Sequence, residues 1–168
     1  MENFVIFSDV HAANFTSCSK MEDGFNSRLK ICLAAIQQVK DYAHREKAPF
    51  TFFLGDMFQS VLGLDVEVIN SIYAVLQDWP GQLFCLVGNH DRVNKRIHGL
   101  EIFKNFVHVV DKPELLELGG ERVLMVPHSR KGCIKTIKRV KSDWLFMHQG
   151  LGDVEYKDGV YLKEPVLL

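Results

Sequence analysis

Three short apolar runs, "NFVIFS" (3–8), "FTFFLG" (50–55) and "QLFCLVG" (82–88), are each separated from the next by a stretch of helical periodicity. Strands apolar on both sides are buried on both faces, and strands that alternate with helices pack as a parallel sheet beneath them. Between the first two runs, Leu29, Leu33, Ile36, Val39 and Ala43 recur every three or four residues. That spacing predicts an amphipathic helix over about 27–46, with Asn26 or Ser27 as N-cap. Between the second and third, Val66, Ile69, Ile72, Val75 and Leu76 predict another helix, closed near Trp79-Pro80-Gly81.

A short helix near 98–105 then leads to a strand at "FVHVV" (106–110). "LLELGGERVLMV" predicts a hairpin turning at Gly119-Gly120. A helix over about 131–140 would bury Ile134, Ile137 and Val140, and "DWLFM" (143–147) reads as a further strand. The fold expected is a layered α/β sandwich with a mixed, mostly parallel sheet. With 168 residues and no repeat, low-complexity tract or linker, residues 1–168 are read as one domain.

Each strand in this reading delivers polar ligands where it ends. The first run gives Asp9 and His11, the second Asp56, the third Asn89, His90 and Asp91, and the run at 143–147 gives His148. In parallel sheets those ends share one edge, where ligands bind. Any one of these residues alone is an ordinary turn or loop residue. Their recurrence after successive buried strands is what singles them out. Asp, Asn and His together make an O/N donor set suited to Mn²⁺, Fe or Zn²⁺, not a thiolate site.

Composition narrows the partners. Apolar residues make up 47 % and charged residues 24 %, as in soluble globular proteins, and the net charge of −1 excludes a uniformly basic nucleic-acid binder. One segment departs from that average: 130–141 holds Arg130, Lys131, Lys135, Lys138, Arg139 and Lys141 and no acid. With Arg92, Lys95 and Arg96 it is either a solvated face or a strip that tracks phosphates. No run approaches the ~20 apolar residues that span a bilayer. The start, "MENFVIFSDV", lacks the features of a signal peptide. Cys18, Cys32, Cys85 and Cys133 show no C-x-x-C spacing, and a reducing, cytoplasmic setting is expected.

D-x-H, then G-D, then G-N-H-D, then a strand-terminal His resembles the calcineurin-like metallophosphoesterase superfamily, over nearly the whole chain. "GDMF", "FNSRLKICLAAIQQVKDYA" and "FMHQGL" resemble the SbcD-type DNA repair nuclease branch of phages and bacteria. The resemblance implies two divalent metal ions, Mn²⁺ foremost, with Fe, Zn²⁺ or Mg²⁺ as alternatives. Asp9 and His11 would bind the first ion, Asp56 would bridge both, and Asn89 with His148 would bind the second. His90 would not bind metal but would stabilise the phosphoryl charge or protonate the leaving oxygen.

The activity so implied is that of a two-metal phosphodiesterase: a DNA nuclease, exonuclease included, of repair and recombination, with an ATPase subunit as partner and homodimerisation as an option. The alternatives are a phosphomonoesterase acting on protein or nucleotide substrates, and a truncated, non-catalytic module. Two departures from the family pattern bear on this. No histidine follows His148, so the late G-H-x-H motif is missing and truncation is expected. Gln59 stands where many members carry the aspartate that orients the catalytic histidine. His128, after a strand, is expected to be an exposed loop residue in preference to a substitute ligand.

Overall fold

The computed structural model describes residues 3–129, 134–149, 155–157 and 160–161. In chain order the elements are β1 (Phe4–Phe7), β2 (Met21–Glu22), β3 (Phe25–Asn26), α1 (Ser27–Arg45), β4 (Phe50–Phe53), α2 (Val66–Leu76) and β5 (Gln82–Leu86). A 3-10 turn (Gly99–Phe103) follows, then β6 (His108–Val110), β7 (Glu114–Leu118), β8 (Glu121–Val126), α3 (Ile134–Arg139), β9 (Trp144–Met147), β10 (Glu155–Lys157) and β11 (Val160–Tyr161).

The first sheet runs β1-β4-β5-β6 and is parallel throughout, with Phe52 beside both Ile6 and Phe84. Strand alternation sends Phe4, Phe50, Phe52, Phe84, Leu86 and Val110 to one face and Phe7, Phe53, Leu83, Cys85 and Val109 to the other. The second face is covered by α1 and α2 through Leu29, Ile36, Val68, Ile72 and Leu76. The first face meets a second sheet, β7-β8-β9, through Leu118, Val123, Met125 and Phe146. Phe52 lies between Phe84 and Phe146, with ring centres 5.3 Å and 4.6 Å away. Full burial of each such side chain contributes about 1.5–3 kcal/mol. On the outer face of the second sheet, Leu124 and Val126 pack against Ile137 and Val140.

The fold is therefore α/β with a parallel sheet, as the alternation of runs predicts. The strands of the layered sandwich divide between two main sheets, beside the short β2–β3 and β10–β11 pairs. After β6 the chain passes Pro113, which cannot donate to a ladder, and β7 starts the second sheet, antiparallel to β8, while β8 and β9 are parallel. The Gly119-Gly120 turn is present, both glycines at positive φ (57° and 80°). Between β1 and α1 the chain forms the short β2–β3 hairpin. Asp23 (φ 54°) and Gly24 (φ 77°) turn the β2–β3 hairpin, the D-G signature of a primed turn. That hairpin delivers Asn26, whose side chain accepts the N–H groups of Arg28 and Leu29 and so caps α1. Of the predicted helix 131–140, residues 131–133 lie outside the described residues, as does the Ile134 side chain.

The thiols divide as well: Cys18 is exposed, Cys32 half-buried and Cys85 buried, while Cys133 lies outside the described residues. Among the described residues no helix is long and apolar enough to cross a membrane.

One buried histidine gives the fold a pH dependence. His98 is buried at the start of the 3-10 turn, with Nε2 3.3 Å from Glu101 and 3.8 Å from Asp111. Burial holds its imidazole below the ordinary value, Glu101 and Asp111 pulling upward while Lys104 and Arg92 add to the depression. As pH falls through the unfolded value of ~6.5, the unfolded chain takes up a proton that the native state refuses, and stability declines. Wild type is expected to lose stability relative to His98→Gln between about pH 7 and its lowered folded value. Urea denaturation of both proteins across that range checks it; parallel pH curves would refute it.

Candidate active site

The four strand ends meet at one edge, and the backbone there is strained. Asp9, His11 and Asp56 all have positive φ (56°, 48° and 60°), a conformation that costs a non-glycine residue about 1–3 kcal/mol and concentrates at functional sites. Hydrogen bonds lace the first two strand-end loops together and hold that strain. Asp9 N–H donates to the Gly55 carbonyl (3.0 Å), His11 N–H to the Asp56 carbonyl (3.0 Å) and Ala12 N–H to the Met57 carbonyl (2.8 Å). Glycines are required beside them. A Cβ on Gly88 would collide with the Asp56 carboxylate and backbone N, and one on Gly55, itself at φ 109°, would meet the His148 ring.

The side chains form a chain of donors centred on Asp56. His11 Nε2 lies 3.6 Å from Asp9 Oδ1 and 3.7 Å from Asp56 Oδ2. On the other side, His148 Nε2 lies 3.4 Å from Asp56 Oδ2 and 3.0 Å from Asn89 Oδ1. Two donors on one ion at ~2.0–2.2 Å each stand roughly 3–4 Å apart, so both clusters fit a cation. His11 is independently suggestive: its Nε2 contacts are too long for hydrogen bonds, and its buried Nδ1 has no hydrogen-bond partner among the described residues. All five predicted ligands are thus brought together.

His90 joins the same edge. Its backbone N–H donates to Asp56 Oδ1 (2.9 Å), its ring stands nearly perpendicular to that of His11 with centres 4.8 Å apart, and its Nδ1 is 2.6 Å from the Gln59 carbonyl. His11, Asp56 and His90 bring ligand atoms within 4.8 Å of one another. The Gln59 side chain was the group expected to accept from this histidine; the backbone carbonyl does so instead.

Charge is balanced around Asp56. Burial opposes ionisation of its carboxyl, yet the His148 and His90 hydrogen bonds and charges outweigh burial and hold it below the ordinary carboxylate value. Burial likewise opposes charge on His148, but hydrogen bonds to Asp56 and the Leu54 carbonyl (2.7 Å), with Asp9 nearby, raise its imidazole.

Two contributors escaped the sequence reading. The Gln59 and Leu54 carbonyls that orient the two histidines belong to the backbone, and no residue type announces them. Asp91 is buried and accepts backbone N–H groups of the strand-end loops. His128 is not an exposed loop residue. It is half-buried, its N–H donates to the Val87 carbonyl (2.9 Å), and its ring centre lies 6.4 Å from that of His148.

A parallel sheet with O/N donors crowded at its C-terminal edge defines an α/β protein with a candidate metal centre. The family model for calcineurin-like phosphoesterases matches residues 2–165, and the chain belongs to that family, whose members bind divalent metals. A search of curated proteins gave no match. Among solved structures, an archaeal phosphodiesterase is similar at 14 % identity and TM-score 0.50, over 94 % of this chain and 79 % of that one. A protein of unknown function from Aquifex aeolicus matches at 17 % identity and TM-score 0.42, over 78 % of this chain and 63 % of that one. The nuclease MPE of Pseudomonas putida matches at 19 % identity and TM-score 0.41, over 75 % and 55 %. This chain thus spans less than two thirds of the length of the latter two.

Proposed function

We propose that this chain is a two-metal phosphodiesterase acting on DNA, of the SbcD type, with Asp9 and His11 on one ion, Asn89 and His148 on the other, and Asp56 on both. The observation that carries the reading is the place of Asp56 Oδ2, 3.7 Å from His11 Nε2 and 3.4 Å from His148 Nε2. Mn²⁺ is the ion proposed. Bound divalent cations supply positive charge that draws in the phosphate diester and lowers the pKa of water.

The residues do the rest. His90 is oriented by the Gln59 carbonyl, which accepts its Nδ1–H. When the ring carries a proton on both nitrogens, its Nε2–H is the one available to the departing alkoxide, which keeps the bond-breaking electron pair and needs a proton to leave as an alcohol; the ring is left neutral.

DNA as the substrate is supported by the "GDMF" and "FMHQGL" resemblances and by the loop that follows His90. There Val93 N–H donates to the Ile97 carbonyl (3.0 Å) and Asn94 Oδ1 accepts the N–H groups of Arg96 and Ile97 (2.8 and 3.0 Å). The loop so pinned exposes Lys95 and Arg96, five and six residues after His90, suited to phosphate contacts. An ATPase partner subunit follows from the family resemblance alone, and a cytoplasmic setting agrees with the free thiols.

The test is to compare bis-p-nitrophenyl phosphate, p-nitrophenyl phosphate and linear DNA with Mn²⁺ present. Faster diester than monoester turnover, with DNA degraded, is expected. Faster monoester turnover would replace the nuclease by a phosphomonoesterase. Metal binding without hydrolysis of any substrate would make the chain a non-catalytic module.

A further inference from the structure

We infer that Asp91 is a positioning residue for the metal centre, whose carboxylate sets the place of Asp56 by gripping three backbone N–H groups from two separate loops. Asp91 is fully buried. Its Oδ2 accepts from Asp56 N–H (2.9 Å) and Gly88 N–H (3.0 Å), and its Oδ1 accepts from Phe58 N–H (3.1 Å). Asp56 and Phe58 belong to the loop after β4, Gly88 to the loop after β5. One carboxylate therefore ties the loop bearing Asn89 and His90 to the loop bearing Asp56.

The use of a carboxylate there requires a reason. A buried charge costs several kcal/mol unless it is compensated, and a neutral side chain would fill the same space more cheaply. What only the carboxylate offers is two oxygens that both accept. An amide in its place keeps one acceptor and turns an NH₂ towards an N–H donor. The groups it holds are the sensitive ones. Asp56 sits at φ 60°, with its backbone N–H on Asp91, its carbonyl on His11 N–H and its Oδ1 on His90 N–H. Gly88 is packed against it without room for a Cβ. Releasing the Asp56 N–H lets that residue relax from its left-handed conformation, which moves its carboxylate out from between His11 and His148.

This inference rests on the reading that Asp56 binds metal, and the experiment keeps the two apart. Mn²⁺ binding to metal-free protein is titrated calorimetrically for wild type, Asp91→Asn, Asp91→Glu and Leu76→Ala. The last is a core change at the C-terminal end of α2, made to lower stability without touching the groups Asp91 holds. Loss of a group that orients a metal ligand typically weakens binding ~10–100-fold. Asp91→Asn is expected to lose affinity in that range, and its turnover is expected to recover as Mn²⁺ is raised to saturation. Asp91→Glu, which restores two acceptors on a longer arm, is expected to recover part of the affinity.

No Mn²⁺ binding by wild type would sink the metal reading itself. Wild-type affinity in folded Asp91→Asn, or an equal loss in Leu76→Ala, would overturn the positioning role. Should Asp91→Asn not fold, the Glu variant decides, and an unchanged dissociation constant there overturns the inference.

Discussion

Asp56→Ala is expected to abolish metal binding at both positions together with turnover. The reason is geometric, because its Oδ2 faces His11 Nε2 on one side and His148 Nε2 on the other. Removing it deprives each donor set of a member and leaves His148 without its carboxylate partner. Metal-assisted charge stabilisation amounts to several kcal/mol, so the loss in kcat/KM should be about a thousandfold or more. Metal content of the purified variant after dialysis against Mn²⁺, measured beside turnover, checks the prediction. A variant that keeps either its metal or its activity contradicts the bridging assignment.

His90→Ala is expected to separate the two properties that Asp56→Ala removes together. If His90 donates a proton to the leaving oxygen, its loss lowers kcat by roughly 10²–10⁴ and leaves metal affinity nearly unchanged. A substrate whose leaving group needs no proton, such as p-nitrophenolate, should lose much less than DNA. The competing assignment is concrete, since His90 sits within the same 4.8 Å cluster as His11 and Asp56. Its Nδ1 is occupied by the Gln59 carbonyl, which leaves Nε2 alone to serve as ligand or acid. Metal affinity that falls with activity in His90→Ala would make it a ligand. Equal losses on DNA and on the activated ester would remove its role as acid.

Much of this site was legible because its chemistry is written in residue types. Asp9, His11, Asp56, Asn89 and His148 each follow an apolar run, and parallel pairing of β1, β4 and β5 places three of those run-ends side by side. The helices were legible for a similar reason: Leu29, Ile36 and Ala43 repeat at the helical period and are all fully buried.

What was not legible depends on pairing partners and on the backbone. "FVHVV" and "LLEL" look alike as apolar strands, yet one closes the first sheet and the other opens the second. Strand pairing across sheets leaves no local mark. Gln59 shows the same limit at the site, since its side chain drew attention while its carbonyl holds His90. Asp91 is a third case. Its adjacency to His90 says nothing of what it touches, and two of its partners lie more than thirty residues back at Asp56 and Phe58.

The central claim is that five side chains from four strand ends hold two cations that share Asp56. Electron paramagnetic resonance of the protein titrated with Mn²⁺ tests it most directly, because two manganese ions joined by one carboxylate are spin-coupled. The account predicts two bound Mn²⁺ per chain with a coupled spectrum, both lost in Asp56→Ala. A single isolated Mn²⁺ signal, or none at saturating metal, would contradict it.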